Sequence, residues 1–229
     1  MAETAVVADD PPEEFAVKDC ALVAIATGRK ALTAQELRDH LLAVEVSSVY
    51  HHFWGGLLHA HFEEREFNND FAAWVKHGLH DAILAERLAM LDPTDYPDLE
   101  ELRRELVDLI DARLDETESL HWTRASQQFE LTRSQIVIFD TGNRLREARE
   151  LVDLIPNLSA SSIFYHFIDA RRRLAEHGND FSLWLLRFGD EYADLRVELD
   201  GVDPYFGNLS ELRDQLTAMM HRHLAETAP

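Results

Sequence analysis

The chain has 229 residues, of which 46% are hydrophobic and 28% are charged, enough apolar material for a packed core. Its 43 acidic side chains outnumber its 22 basic ones and give a formal net charge of −21. A field of that sign repels nucleic-acid phosphates and anionic lipid headgroups, so we expect neither nucleic acid nor a membrane as a partner.

The first 14 residues combine acidic and small side chains with a Pro-Pro pair, a composition typical of a disordered tail. They lack the pattern of a signal peptide, and no stretch of the chain reaches the about 18 apolar residues of a membrane span. We therefore predict a cytoplasmic protein. Its acidity is typical of a salt-accumulating host, although an ordinary host stays open. The single cysteine, Cys20, excludes an intrachain disulfide and is expected to be inert and partly buried.

An internal repeat follows this tail. Phe15–Phe53 aligns without a gap on Phe129–Phe167 at a constant shift of 114 positions, and identical pairs recur throughout. The match resumes at Asn69–Phe71 and Asn179–Phe181, where the shift is 110. Ordinary residue usage does not produce agreement of this kind. Both halves are therefore predicted to share one fold.

The repeat sets the predicted domain organisation. A helical repeat spans residues 15–116, a linker spans residues 117–128, and a second helical repeat spans residues 129–227. Two homologous units in one chain normally meet about a pseudo-twofold axis. We expect that geometry here, with a ligand or partner surface at the seam between the repeats. Whether the chain forms a further homodimer stays open.

Each repeat opens with a short apolar run, residues 21–26 in the first and residues 135–139 in the second. Periodicity does not separate a buried helix from a buried strand in runs this short. The alanines of the first run, and the Thr-Gly pair after each run, favour a helix with a glycine stop. The β-branched second run keeps a strand open. Choosing the helix, we predict an all-α fold of two tandem, pseudo-twofold-related repeats with about five helices each.

Capping patterns predict the later helices. Thr33 followed by Glu36 is a capping-box pattern that starts a helix near Ala34. The Ser-Ser pairs at 47–48 and 161–162 are candidate N-caps of the next helix in each repeat. An Asn-Asp pair then begins a further helix, and an amphipathic helix closes each repeat. These Asn-Asp pairs are Asn69-Asp70 and Asn179-Asp180, and the closing helices start near Leu99 and Leu209.

Few chemically interesting side chains occur in both repeats. They are the pairs His52 with Asp70 and His166 with Asp180, and the neighbouring tyrosines Tyr50 and Tyr165. A histidine oriented by a carboxylate is the arrangement of general acid–base catalysis, and it is also an ordinary way to satisfy a buried imidazole. Because each aspartate already has a capping role, we favour the structural interpretation. Ligand binding and catalysis remain as alternatives.

A histidine-rich stretch in the first repeat raises the question of a metal site. His52, His59 and Glu63 lie on one helical stripe, at a spacing that suits Zn²⁺, Fe²⁺ or Ni²⁺. The second repeat keeps His166 but has Arg173 where His59 would fall. We therefore expect no metal and no other cofactor.

Two motifs resemble those of a known family. Ser47–Phe53 and Asn69–Trp74 are similar to the Ser-Ile-Tyr-Tyr-His and Asn-Asp-Phe-Ala-x-Trp segments of an uncharacterised bacterial and archaeal family of unknown function. Ser162–Phe167 and Asn179–Trp184 fit as well, so the resemblance covers both halves. The prolines that precede Asn-Asp in that family are missing here. The resemblance implies no reaction.

Two functional hypotheses follow. The first is a binding or regulatory module without catalytic activity, which fits a sequence that has no phosphate loop and no nucleophile elbow. The second is an enzyme that uses the pair at His52 or at His166, with or without a divalent metal, on a small polar substrate. The comparison of the two repeats favours the first.

Overall fold

Two long strands run through the protein, whose structure is a computed structural model. The structure describes residues 13–58, 66–174, 178–204 and 208–225. The strands are β1 (Phe15–Ala31) and β2 (Phe129–Leu145), which pair as a two-stranded antiparallel sheet.

Helices follow each strand. After β1 they are α1 (Ala34–Ala43), α2 (Ser47–Trp54), α3 (Asp70–Trp74), α4 (Ala82–Ala89) and α5 (Leu99–Glu116). After β2 they are α6 (Glu150–Leu154), α7 (Ala160–Ile163), α8 (Ala170–Arg173), α9 (Asp180–Leu185), α10 (Ala193–Asp200) and α11 (Leu209–Leu224). The described part of the chain is mostly helical, but it is not all-α.

The two apolar runs are strands, so the helix prediction for residues 21–26 and 135–139 was wrong. Gly28 and Gly142, which we had assigned to helix ends, lie inside β1 and β2 with φ of +76° and +77°. This is the left-handed conformation that glycine adopts in many β-bulges. A strand prevails because main-chain pairing with a distant segment outweighs the helix propensity of a few alanines.

The threonine before each of these glycines also serves the sheet. Thr27 Oγ1 donates a hydrogen bond to the Leu131 carbonyl at 2.6 Å. In the same way, Thr141 Oγ1 donates to the Val17 carbonyl at 2.7 Å. The Thr-Gly pairs at 27–28 and 141–142 are therefore features of the strands.

One compact unit comprises residues 22–136. Within it α1 packs on α5, and the two helices contribute the fully buried side chains Leu37, Leu41, Leu102 and Leu106 to the core. The Trp74 indole N–H donates to the Gln127 carbonyl at 2.7 Å, which ties α3 to the segment before β2.

The other compact unit comprises residues 1–21 and 137–229, so far as the structure describes them. Its largest fully buried side chains are Phe164, Phe167, Phe181 and Trp184. α6 ends before a 3₁₀ turn at Ile155–Asn157, as expected from Pro156, which cannot continue an α-helix. A π-helical turn, Phe164–Asp169, joins α7 to α8.

Several predicted helix starts are confirmed. Thr33 Oγ1 accepts the Glu36 N–H at the start of α1. The Asn69 side chain accepts the Ala72 N–H at the start of α3, and Asn179 accepts the Ser182 N–H at the start of α9. These caps could be predicted because donor and acceptor lie within four residues of each other.

The division between the two compact units falls within both strands. Each unit therefore contains a part of β1 and a part of β2. The predicted repeat boundaries at residues 116 and 129 stay a prediction. None of the described helices is long and apolar enough to cross a membrane.

Candidate functional site

His52, in the unit of residues 22–136, is bonded through both ring nitrogens. Its Nδ1 lies 2.9 Å from Asp70 Oδ2, at the first residue of α3. Its Nε2 accepts the Thr132 main-chain N–H of β2 at 3.1 Å. The ring is 4% exposed and packs against Phe71 and Phe129. The histidine therefore links two helices to a strand.

His166, in the other unit, makes the same set of contacts. Its Nδ1 lies 2.7 Å from Asp180 Oδ2, at the first residue of α9. Its Nε2 accepts the Lys18 main-chain N–H of β1 at 2.9 Å. The ring is 2% exposed and lies against Phe15. The structure thus brings together both predicted histidine–aspartate pairs and adds a partner, the strand main chain, that the sequence did not indicate.

The main-chain partner fixes the tautomer of both rings. A peptide N–H can only donate, so Nε2 of His52 and of His166 must be the acceptor. The proton of each neutral ring then lies on Nδ1 and is donated to the aspartate. The lone pair that would take a proton or bind a metal is therefore already used in each ring.

A serine one turn before His166 completes the bonding of the strand. Ser162 Oγ donates to the Lys18 carbonyl at 2.8 Å, so the side chains of Ser162 and His166 bond both main-chain groups of Lys18. The cap of α7 is Ser159, which accepts the Ser162 N–H. The prediction that the serine pair supplies the N-cap was wrong for this helix, because the second serine faces the strand.

In the unit of residues 22–136, the corresponding helix α2 begins without a side-chain N-cap. α2 begins at Ser47, and Val46 occupies the N-cap position without a capping bond. Ser48 Oγ is buried and has no hydrogen-bond partner among the described residues. The serine-cap prediction was therefore wrong in this half as well.

The two candidate tyrosines are both buried, with different neighbours. Tyr50 stacks on Trp54 with ring centroids 5.1 Å apart. Tyr165 lies edge-on to His166, and the Arg173 guanidinium lies over the Tyr165 ring at 4.1 Å from its centroid. Burial raises the pKa of the Tyr165 hydroxyl above its ordinary value, although the Arg173 charge opposes this.

A buried ion-pair network around Arg173 was missed at the sequence level. Arg173 Nε lies 2.9 Å from Asp169 Oδ2, and its Nη2 lies 2.9 Å from Asp180 Oδ2 and 3.0 Å from the Tyr165 carbonyl. Asp169 is buried and also accepts from Arg172. Burial lowers the pKa of Arg173, but Asp180, Tyr165 and Asp169 together outweigh that effect and the pKa is raised.

The network is specific to the second half of the chain. Asp169 stands where the first half has Gly55, and Arg173 stands where it has His59. The separation of four residues between Asp169 and Arg173 was the signal that could have revealed their ion pair, since such residues are neighbours on a helix. The network orients the Asp180 carboxylate and leaves His166 in its structural role.

Cys20 lies in the same unit and is buried. Its Sγ donates to the Ser161 carbonyl at 3.3 Å. Burial, and next the negative charge of Asp169, raise the pKa of the thiol to about 12. Because the thiolate is the reactive form, this cysteine is suited to packing and poorly suited to nucleophilic chemistry.

Of the three residues of the alternative metal site, the structure describes His52 alone. His59 and Glu63 lie outside the described residues. Among the residues that are described, no three His, Cys, Asp or Glu side chains come together in a way that could hold a metal ion.

The fold is similar to that of a solved structure. OrfY from Thermoproteus tenax superposes with a TM-score of 0.78 at 25% sequence identity, and the alignment covers 96% of this chain and 99% of that one. No curated protein matches the chain. A model for DUF5752, a family of unknown function, matches residues 12–221. The chain therefore belongs to the DUF5752 family.

Proposed function

We propose that this protein is a non-catalytic binding or regulatory module built from two tandem helical repeats. One observation carries the proposal: the histidines that would have to perform chemistry, His52 and His166, use both ring nitrogens within the fold. A general base needs a free lone pair at the reacting atom, and so does a metal ligand. Here each Nε2 lone pair holds a strand in place.

Equivalent residues with equivalent contacts support the duplication. In each unit a histidine bonds the aspartate that begins a later helix and a main-chain N–H of a strand. Their strand partners, Lys18 and Thr132, are themselves separated by the 114-residue shift that relates His52 to His166. The family model extends across both halves, so on this proposal the duplication lies inside the family's domain.

The enzyme hypothesis has no supporting observation of its own. For His166 to act as a base, its ring would have to release the Lys18 N–H, which would leave a partly buried donor without this partner at a cost of about 1 kcal/mol. A cytoplasmic location and a ligand or partner surface at the seam between the repeats stay predictions, and the question of a homodimer stays open.

The proposal can be tested by NMR on ¹⁵N-labelled protein at neutral pH. We expect a scalar coupling across the hydrogen bond between the Thr132 amide nitrogen and His52 Nε2, and another between the Lys18 amide nitrogen and His166 Nε2. Both couplings should persist when Zn²⁺ is added. Loss of either coupling on addition of Zn²⁺, with the fold retained, would show that the lone pair is available and would contradict the proposal.

A second arm separates a module from an enzyme. Wild type and the double variant His52→Gln/His166→Gln are incubated with a panel of sugars, nucleotides and amino acids, and product formation is followed by mass spectrometry. The proposal expects no turnover by wild type. Turnover by wild type that disappears in a folded double variant would establish the enzyme.

A further inference from the structure

The two-stranded sheet leaves an apolar stretch of β2 open to solvent. Val137, Ile138 and Phe139 are 37%, 46% and 50% exposed. Of the residues that flank these three, Ile136 is half-buried and Asp140 is exposed. Successive side chains of a strand point to opposite faces, so both faces of this stretch reach solvent. Large apolar side chains exposed in a run of this kind mark an interaction site.

The main chain of the same stretch has an unused edge. β2 has one neighbouring strand, so every second residue turns its N–H and C=O away from β1. Thr132 is one of these residues, since its N–H reaches His52. Counting by twos along the strand places Ile136 and Ile138 on the same outer edge. Among the described residues, no loop or side chain bonds the main chain of these two isoleucines.

At Lys18 of β1 and Thr132 of β2, side chains cover this kind of edge. His166 and Ser162 bond the outward N–H and C=O of Lys18, and His52 bonds the N–H of Thr132. Exposed strand edges are usually protected by lysine, proline or an inward charge, because they pair readily with other chains. The segment Gln135–Phe139 has none of these. Its open edge therefore contrasts with the covered edge positions at Lys18 and Thr132.

We propose that the outer edge of β2 at Gln135–Asp140 binds an extended segment of a partner protein as an added strand. Only another extended main chain matches an alternating row of N–H and C=O groups, and apolar side chains at every second position would pack beside Val137 and Phe139. The net charge of −21 favours a segment flanked by lysine or arginine and disfavours a second copy of this chain. This inference rests on the proposed binding role and names the kind of partner.

The test uses a synthetic peptide with a Val-Thr-Val-Thr-Val core between pairs of lysines, labelled for fluorescence polarisation. A matched peptide carries N-methyl groups on all core residues, which preserves charge and side chains but removes the strand hydrogen bonds. We expect the full-length protein to bind the first peptide and to bind the methylated one at least about tenfold more weakly, because several main-chain bonds are lost. The amides of Ile136 and Ile138 should exchange more slowly in the complex.

Variants locate the site. Ile138→Pro removes an outward N–H that the β1–β2 ladder does not use, so the fold is retained and affinity should fall about tenfold. Should this variant unfold, Val137→Thr/Phe139→Thr keeps the strand propensity, removes the apolar contact and should weaken binding as well. The control is Val197→Thr, which removes an exposed apolar group on α10, where Val197 is 74% exposed, and should bind as wild type does.

Three results would overturn the inference. They are no binding of the peptide to wild type, equal binding of the methylated peptide, and a concentration-dependent dimer in sedimentation that Ile138→Pro abolishes. The last result would assign the edge to a second copy of this chain. None of these three results would contradict the proposed non-catalytic role, which is tested separately by the histidine couplings and the turnover assay.

Discussion

At the scale of single residues, the two histidines differ in how firmly they are held. The Asp180 side chain is 16% exposed and also bonded by Arg173, whereas the Asp70 side chain is 40% exposed. Replacement by alanine removes the acceptor of a partly buried main-chain N–H and the packing of the ring against its aromatic neighbours, at a cost of about 1–3 kcal/mol in the free energy of unfolding. We expect His166→Ala to destabilise more than His52→Ala, as measured by urea unfolding.

The control for these substitutions is His77→Ala. His77 pairs with Glu66 at the surface, where both side chains are mostly exposed, and such pairs contribute about 0–1 kcal/mol. Its removal should leave the urea midpoint nearly unchanged. A loss of stability in His77→Ala as large as in His166→Ala would mean that burial of the ring does not set the cost.

Cys20 provides a prediction about reactivity. With the pKa of the thiol raised to about 12 in the folded state, the thiolate is a very small fraction at pH 8. The native protein should therefore react with a disulfide reagent such as DTNB far more slowly than the same protein in guanidinium chloride, where the pKa returns to its ordinary value. Rapid modification of the folded chain would show that the thiol is accessible and ionised.

For the two histidines, the sequence predicted one hydrogen-bond partner of each ring and could not predict the other. The pairs His52 with Asp70 and His166 with Asp180 were predicted, since each pair occurs in both halves of the sequence and its members lie within 20 residues of each other. The other partner of each ring is a main-chain N–H, of Thr132 for His52 and of Lys18 for His166. Every residue except proline has that group, so its position follows from the strand pairing alone.

At the scale of elements, a substitution at Gly142 tests whether β2 requires a glycine with positive φ at this position. Its φ of +77° is unfavourable for any residue with a Cβ, although nothing lies within 4 Å of where that atom would be. Gly142→Ala should therefore lower the free energy of unfolding by about 1–2 kcal/mol through backbone strain alone. Gly178→Ala is the matched control, because that site is equally open and has no positive φ. Thermal unfolding of both variants measures this difference. Equal losses of stability in the two variants would mean that the positive φ at Gly142 causes no backbone strain in the alanine variant.

Helix starts and strands also differ in how well they could be predicted. Thr33, Asn69 and Asn179 cap helices through bonds to residues three positions away, so the local sequence contains both partners. The strand at residues 21–26 exists because of β2, whose residues lie more than 100 positions further along the chain. Local propensity favoured a helix there, and long-range pairing decided the outcome.

At the scale of the whole molecule, the charge predicts how stability depends on salt. Even if every basic side chain formed an ion pair, 21 acidic groups would remain unpaired at pH 7. Their mutual repulsion is greater in the compact state than in the unfolded chain, and salt screens it. Salt also weakens the exposed ion pairs, such as Arg146 with Glu14, but these contribute little individually. The repulsion is therefore expected to dominate.

We expect the free energy of unfolding at pH 7 to rise, by on the order of 1 kcal/mol, as potassium chloride increases from about 0.01 M to about 0.15 M, because the Debye length falls from about 30 Å to about 8 Å. Urea titrations at several salt concentrations would measure this. The internal control is the same series near pH 4.8, the sequence pI, where the net charge is close to zero and the salt effect should largely disappear. A stability that falls with salt at pH 7 would mean that attractive ion pairs, and not the excess of acidic groups, control the electrostatic free energy of this fold.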